Sequence, residues 1–212
     1  MRWPKMYQSL LLLAMFAVAC LIGCGQVNSP EEGGAQTTGR LQVVATTAMV
    51  ADIVRQVAGD RADVTSLMKE GVDPHLYQPR RGDVVQLEAA DMIFYNGLRL
   101  EGKMTDVLAR LATSGRPVIA VAESIAELLE EVIENQTHVD PHVWMDVMRW
   151  SVAVDVAAEA LAEHDPDHAE SYRSNALQYK AAVKALDEYV RNAVATIPQQ
   201  QRLLVTAHDA FG

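Results

Sequence analysis

Residues 41–59 read LQVVATTAMVADIVRQVAG. Leu41–Thr46 is a short apolar run of strand type. Thr47 then offers a hydroxyl to the free amides at the start of a helix over Met49–Ala58, and Gly59 ends that helix. Strand, cap, helix and glycine stop make one α/β unit, and the pattern repeats downstream. DVTSLMKEG (63–71) is a second strand running into a loop, and Arg81–Ala89 reads as a helix. Met92–Gly97 reads as a buried strand, Glu101–Ala112 as a helix and Pro117–Val121 as a further strand. Such alternation is the signature of a parallel α/β sheet, in which ligands gather beyond the carboxyl ends of the strands.

One tripeptide occurs twice. Asp73-Pro74-His75 sits in GVDPHLYQP and Asp140-Pro141-His142 in HVDPHVWMD. Proline fixes its own φ and pushes the preceding Asp toward extended backbone. The Asp carboxylate is then placed to accept from amides just past the proline, so each His leaves a stiff turn in a set direction. Two unrelated surface turns would also satisfy the pattern. The first copy follows the second strand, so its loop belongs on the ligand edge of the sheet. The second reads as a helix start, with Asp140 as N-cap, Pro141 at the first helical position and His142 in the first turn. Val143–Glu163 then continues helically with Trp144, Val147, Met148, Ser151, Val154, Ala158 and Leu161 on one side.

The longest periodic stretch, Asp167–Ile197, carries Tyr172, Ala176, Tyr179, Val183, Leu186, Val190, Val194 and Ile197 at three-or-four spacing. As a helix it is about 45 Å long, a length suited to a rigid strut between two lobes. A coiled-coil seam is the alternative, with Tyr and Ala as unusual core choices. Pro198 stops it, and Arg202–Thr206 reads as a strand delivering His208.

The N-terminus is of another kind. Arg2 and Lys5 precede an uncharged run, Leu10 to Ile22, too short to span a bilayer core of about 30 Å. Leu21-Ile22-Gly23-Cys24 resembles a bacterial lipobox, which makes 1–23 a lipoprotein signal peptide and Cys24 the lipidated residue. An ordinary cleaved signal with an incidental cysteine is the other reading. Residues 24–40, rich in Gly, Ser, Thr, Gln and Glu after the cysteine, read as a flexible tether. Acyl chains on Cys24 would hold the protein at a membrane surface without a spanning helix.

The 212 residues are 50% hydrophobic and 22% charged, an ordinary globular balance, and the formal charge of −10 argues against a nucleic-acid binder. The two cysteines, Cys20 and Cys24, lie inside or just after the N-terminal apolar run, so a transition metal held by the rest must use imidazole and carboxylate. That donor set points to zinc, manganese or iron. His75, His142 and His208 stand where an α/β cleft collects ligands, and they are the candidate metal ligands. His164 and His168 flank a helix boundary, and His138 follows an acidic stretch, 126–136, that reads as a solvated helix face and loop or as a metal-collecting flap. A divalent charge on three neutral imidazoles, one of them at the positive end of a helix dipole, calls for an anionic fourth ligand. Asp209 points away from a strand that ends in His208, and Asp73 and Asp140 are used in their turns.

VVATTAMVADIVRQVAGD, GVDPHLYQPRRGDVVQLEAADMIFYNGLRLEGKM, DPHVWMD and LLVTAHDAFG together resemble the solute-binding lipoproteins of zinc and manganese ABC importers (cluster A-I, bacterial solute-binding protein family 9). The resemblance covers 41–212. It implies a two-lobed α/β protein with a parallel sheet in each lobe, joined by one long rigid helix, holding a single metal between the lobes. On that basis 41–166 is the N-terminal lobe, 167–197 the linking helix and 198–212 the start of a C-terminally truncated second lobe. His75 and His142 match the two N-lobe ligands and His208 the third; the family's fourth, an Asp, falls beyond residue 212. Apolar surface near Leu203–Val205 should then be left unmatched. The resemblance further implies an extracytoplasmic, membrane-anchored monomer at the cell surface or in the periplasm. Its solute would be zinc or manganese, with iron possible, and its partner a membrane permease. It implies no catalysis. Two other classes are a zinc hydrolase using the three-His site, for which no HExxH motif is present, and a surface adhesin.

Overall fold

The computed structural model describes residues 39–128, 140–206, 208 and 210. Cys24, the leader, the tether up to residue 38, His138, most of the acidic stretch and Asp209 lie outside the described residues. Four parallel strands form the sheet: β1 (Leu41–Ala45), β2 (Ala62–Ser66), β3 (Met92–Tyr95) and β4 (Val118–Ala120), in the order β2-β1-β3-β4. Val43 pairs with Val64 on one side and Met92 on the other, and Ile93 pairs with Val118. The order reverses between β1 and β3.

Side chains alternate across the pleat and divide the apolar interior in two. Val43, Ala45, Met92 and Phe94 face a larger core shared with α1 (Ala48–Ala58), α5 (Val147–His164) and α6 (Ala169–Ala195). Val44 and Ile93 face a smaller core with Leu87 of α2 (Arg81–Ala89) and Leu108 and Leu111 of α3 (Thr105–Thr113). A short helix, α4 (Glu123–Leu128), follows β4. Helices on both faces of an all-parallel sheet are the arrangement the alternating sequence predicts.

The first unit follows its local chemistry. The Thr47 hydroxyl accepts from the Val50 amide at 3.3 Å, Gly59 closes α1 at φ 55°, and Val50, Ile53, Val54 and Val57 are fully buried. Each such side chain contributes roughly 1.5–3 kcal/mol through burial. In α2, Asp83 accepts from the Arg80 amide at 2.6 Å and from the Tyr77 hydroxyl at 2.7 Å.

Two expectations need correction. The helix placed at Asp140–Pro141 begins six residues later, at Val147. Asp146 is its N-cap, accepting from the Met148 and Arg149 amides at 3.0 and 3.1 Å, and a 3-10 turn over Val143–Met145 separates it from His142. The buried stripe also differs from the expected one: it runs through Trp150, Ala153, Val154, Ala157, Ala158 and Leu161, leaving Met148 exposed. The second correction concerns Arg202–Thr206. It pairs with no strand among the described residues, and Leu203, Leu204 and Val205 are 83%, 67% and 83% exposed.

The long helix α6 runs for 27 residues, about 40 Å. Its first half docks on α1 and α5: Tyr172, Ala176 and Val183 are buried, Asn175 donates to the Val57 carbonyl at 2.9 Å, and the Tyr179 hydroxyl donates to Asp52 at 2.7 Å. Past Val183 the apolar positions Leu186, Val190 and Val194 are exposed. Among the described residues no helix is long and apolar enough to cross a membrane.

Candidate metal centre

The two Asp-Pro-His turns adopt the same local geometry. Asp73 Oδ1 accepts from the His75 amide at 2.9 Å, and Asp140 Oδ1 accepts from the His142 amide at 3.0 Å. Each carboxylate thus closes a two-residue loop over the fixed φ of its proline. The first turn lies in the loop after β2, on the carboxyl edge of the sheet, and the second precedes the 3-10 turn that leads into α5. His208 comes from the segment that follows α6 in the chain, where the Thr206 hydroxyl donates to its carbonyl at 2.7 Å.

These three imidazoles converge. Nε2 of His142 lies 3.1 Å from Nε2 of His75 and 2.9 Å from Nε2 of His208, and ligand atoms of all three fall within 4.8 Å of one another. Three nitrogens around one tetrahedral ion, each ~2.0–2.1 Å from it, would stand about 3.3 Å apart. His142 is buried, His75 half-buried and His208 exposed. Burial and the neighbouring His142 hold His75 below its ordinary imidazole pKa, with Asp73 opposing. At neutral pH His75 therefore offers a lone pair. Trp144 packs edge-on against His142, with ring centroids 5.2 Å apart.

Of the other histidines, the two among the described residues stay apart from this cluster. His164 is exposed, and His168 bonds through Nδ1 to Asp165 at 2.8 Å. Among the described residues the converging set consists of the three imidazoles alone. The helix-dipole penalty expected at His142 does not arise as reasoned from sequence, because α5 starts five residues further on.

Sequence reasoning missed the polar residues beneath the cluster. Thr46 and Asn96 follow β1 and β3 directly, and both are fully buried, as is Glu101 at 4% exposure. Glu101 accepts from the Thr46 hydroxyl at 2.6 Å, the Asn96 amide at 2.8 Å and the Gly97 amide at 3.2 Å. Burial pushes the Glu101 carboxyl up, while these donors pull it down. The Asn96 side-chain amide donates to the carbonyls of Gly97 and Pro141, at 3.1 and 3.2 Å. The available signal was an Asn-Gly exit from a buried strand, with an acid four residues after the glycine.

An all-nitrogen donor set on the carboxyl edge of an open parallel sheet defines an α/β protein suited to a borderline divalent cation. The family model described as "ZnuA: Zinc-uptake complex component A periplasmic" matches residues 43–212, and the chain belongs to that family. It is 42% identical over 207 residues to the manganese-binding lipoprotein MntA of Bacillus subtilis, covering 97% of this chain and 66% of that protein. It is 38% identical over 198 residues to the zinc-binding protein TroA of Treponema pallidum, covering 92% and 64%. To the iron-binding protein YfeA of Yersinia pestis it is 34% identical over 188 residues, covering 85% and 58%. The solved structure of the periplasmic zinc-binding TroA superposes with a TM-score of 0.77 at 41% identity, over 82% of this chain and 62% of that one. The chain thus spans somewhat less than two thirds of the length of these relatives.

Proposed function

We propose that this chain belongs to the extracytoplasmic metal-capturing component of an ABC importer, with His75, His142 and His208 as ligands to one divalent ion that is passed to a membrane permease. The observation that carries this reading is the convergence of three Nε2 atoms from three separate segments. Two of these segments are stiff turns on one lobe, and the third comes from beyond the long helix. Ligands on separate segments let a site close on its cargo and open to release it without chemistry, so binding without turnover is the expected behaviour. In this reading α6 is the strut between this lobe and a second one, and Cys24 carries the lipid that keeps the protein, as a monomer, beside its permease. The named metals of the relatives support zinc or manganese as cargo, with iron admissible to the same donors.

Elemental analysis and a competition titration with a chromophoric chelator test the proposal. Purified protein should carry about one divalent ion, and His75→Ala and His142→Ala should each weaken zinc binding beyond the ~10–100-fold that losing an outer partner costs. Unchanged zinc affinity in both variants would rule the assignment out. Chelator-sensitive ester or peptide hydrolysis by the intact protein would instead favour the hydrolase reading.

A further inference from the structure

In open parallel sheets, ligands are held where the strand order reverses, by amides at the strand ends. Here that crevice lies between β1 and β3, and the chain's own Glu101 carboxylate fills it. The crevice is thereby turned into a platform. Gly97, Leu98 and Arg99 leave β3 at φ values of 87°, 50° and 62°, a left-handed run that two of the three residues adopt against steric preference. Glu101 holds its first amide and Glu123 the next, accepting from Leu98 at 2.9 Å.

Asn96 stands on this platform and reaches the second Asp-Pro-His turn. Its side-chain nitrogen faces two carbonyl oxygens, which fixes the orientation of the amide, since the reverse would set oxygen against oxygen. Its Oδ1 is buried without a hydrogen-bond partner among the described residues, a cost that an apolar residue would avoid. What the position gains is the bond to Pro141. That carbonyl belongs to the same peptide group as the His142 amide, which Asp140 holds from the other side. Both polar atoms of the peptide are pinned, and its plane sets the direction in which the His142 side chain leaves the backbone.

We infer that Asn96, seated by Glu101, is a positioning residue that aims His142 at the metal; this rests on the reading of the three imidazoles as its ligands. Asn96→Ala and the isosteric Asn96→Asp remove the donor to Pro141. In the full chain each should weaken zinc binding by about 10–100-fold in the chelator competition, the range seen when an outer partner of a ligand is lost. Each should also alter the visible ligand-field bands of the cobalt(II)-loaded protein, a readout that a merely stabilising role would leave alone. Glu101→Gln should move both measurements in the same direction.

Affinities are read where circular dichroism shows each variant folded, and if Asn96→Ala fails there, Asn96→Asp carries the test. A folded Asn96 variant with wild-type zinc affinity and an unaltered cobalt spectrum overturns the inference. His75→Ala and His142→Ala run alongside: unchanged binding in these sinks the ligand assignment and the inference with it. Their loss of binding beside an indifferent Asn96 sinks the positioning role alone.

Discussion

Asp140 binds His142 twice, accepting its backbone amide at 3.0 Å and lying 2.6 Å from its Nδ1. A carboxylate so placed accepts from Nδ1–H, which keeps that proton on Nδ1 and leaves the Nε2 lone pair facing His75 and His208. Asp140→Ala should therefore weaken zinc binding about 10–100-fold, whereas Asp140→Asn, which still accepts at Oδ1, should retain most of the affinity. Competition titration of the two variants beside wild type decides it. Equal losses in both would mean that charge matters more than tautomer and aim.

Asp146 does the work that the sequence assigned to Asp140. Its carboxylate accepts from two otherwise free amides at the start of α5. Asp146→Ala should cost about 1 kcal/mol. For a domain of this size that lowers the thermal midpoint by about 2–4 °C. Asp140→Ala should leave the helix signal in circular dichroism unchanged. A larger loss of helix from Asp140→Ala than from Asp146→Ala would contradict the cap assignment.

That misassignment shows where sequence reading stops. The sequence reading took Asp140 as the cap, and local pattern does not reveal that Asp140 is committed to a histidine ring while Asp146, six residues on, holds the helix start. The apolar stripe was also misread, with Met148 placed inside and Trp150 overlooked. Features whose cause is local were legible: the Thr47 cap, the bounds of α2, the apolar strands and the Asp carboxylate that closes each Asp-Pro-His turn. Arg202–Thr206 fails for the complementary reason, because a strand needs a neighbour and apolar β-branched composition supplies only half of it. His75 and His142 were visible because they share a motif, and His208 because it follows an apolar run. Thr46, Asn96 and Glu101 share none, and only the packing that buries them shows what they hold.

Gly97 sits at φ 87°, where an added Cβ would come within 2.8 Å of Glu123 Oε1 and 3.2 Å of the Ala120 Cβ. The substitution Gly97→Ala meets both the left-handed backbone penalty and a displaced Glu123, which is the acceptor for the Leu98 amide. A loss of about 1–3 kcal/mol is expected, seen as a lower denaturation midpoint at constant slope in urea. Gly71→Ala, at φ 80° but with open space around it, should cost less, since it carries the backbone penalty alone.

Tyr172 is fully buried where α6 begins, and its hydroxyl donates to Asp165 at 2.7 Å while His168 bonds the same carboxylate at 2.8 Å. Burial alone would raise the Asp165 carboxyl, but these two hydrogen bonds outweigh it and hold the pKa below its usual value. A carboxyl depressed in the folded state stabilises the fold above its unfolded pKa, about 3.9, and that contribution fades as pH falls through the lower folded value. Tyr172→Phe keeps the ring and removes one of the bonds, at a cost of about 1 kcal/mol near neutrality. The gap in unfolding free energy between wild type and variant should be constant from about pH 7 to pH 5 and narrow below about pH 4. Urea denaturation across that range measures it. A gap that stays constant to pH 3 would show that Tyr172 acts through packing and not through the Asp165 carboxylate.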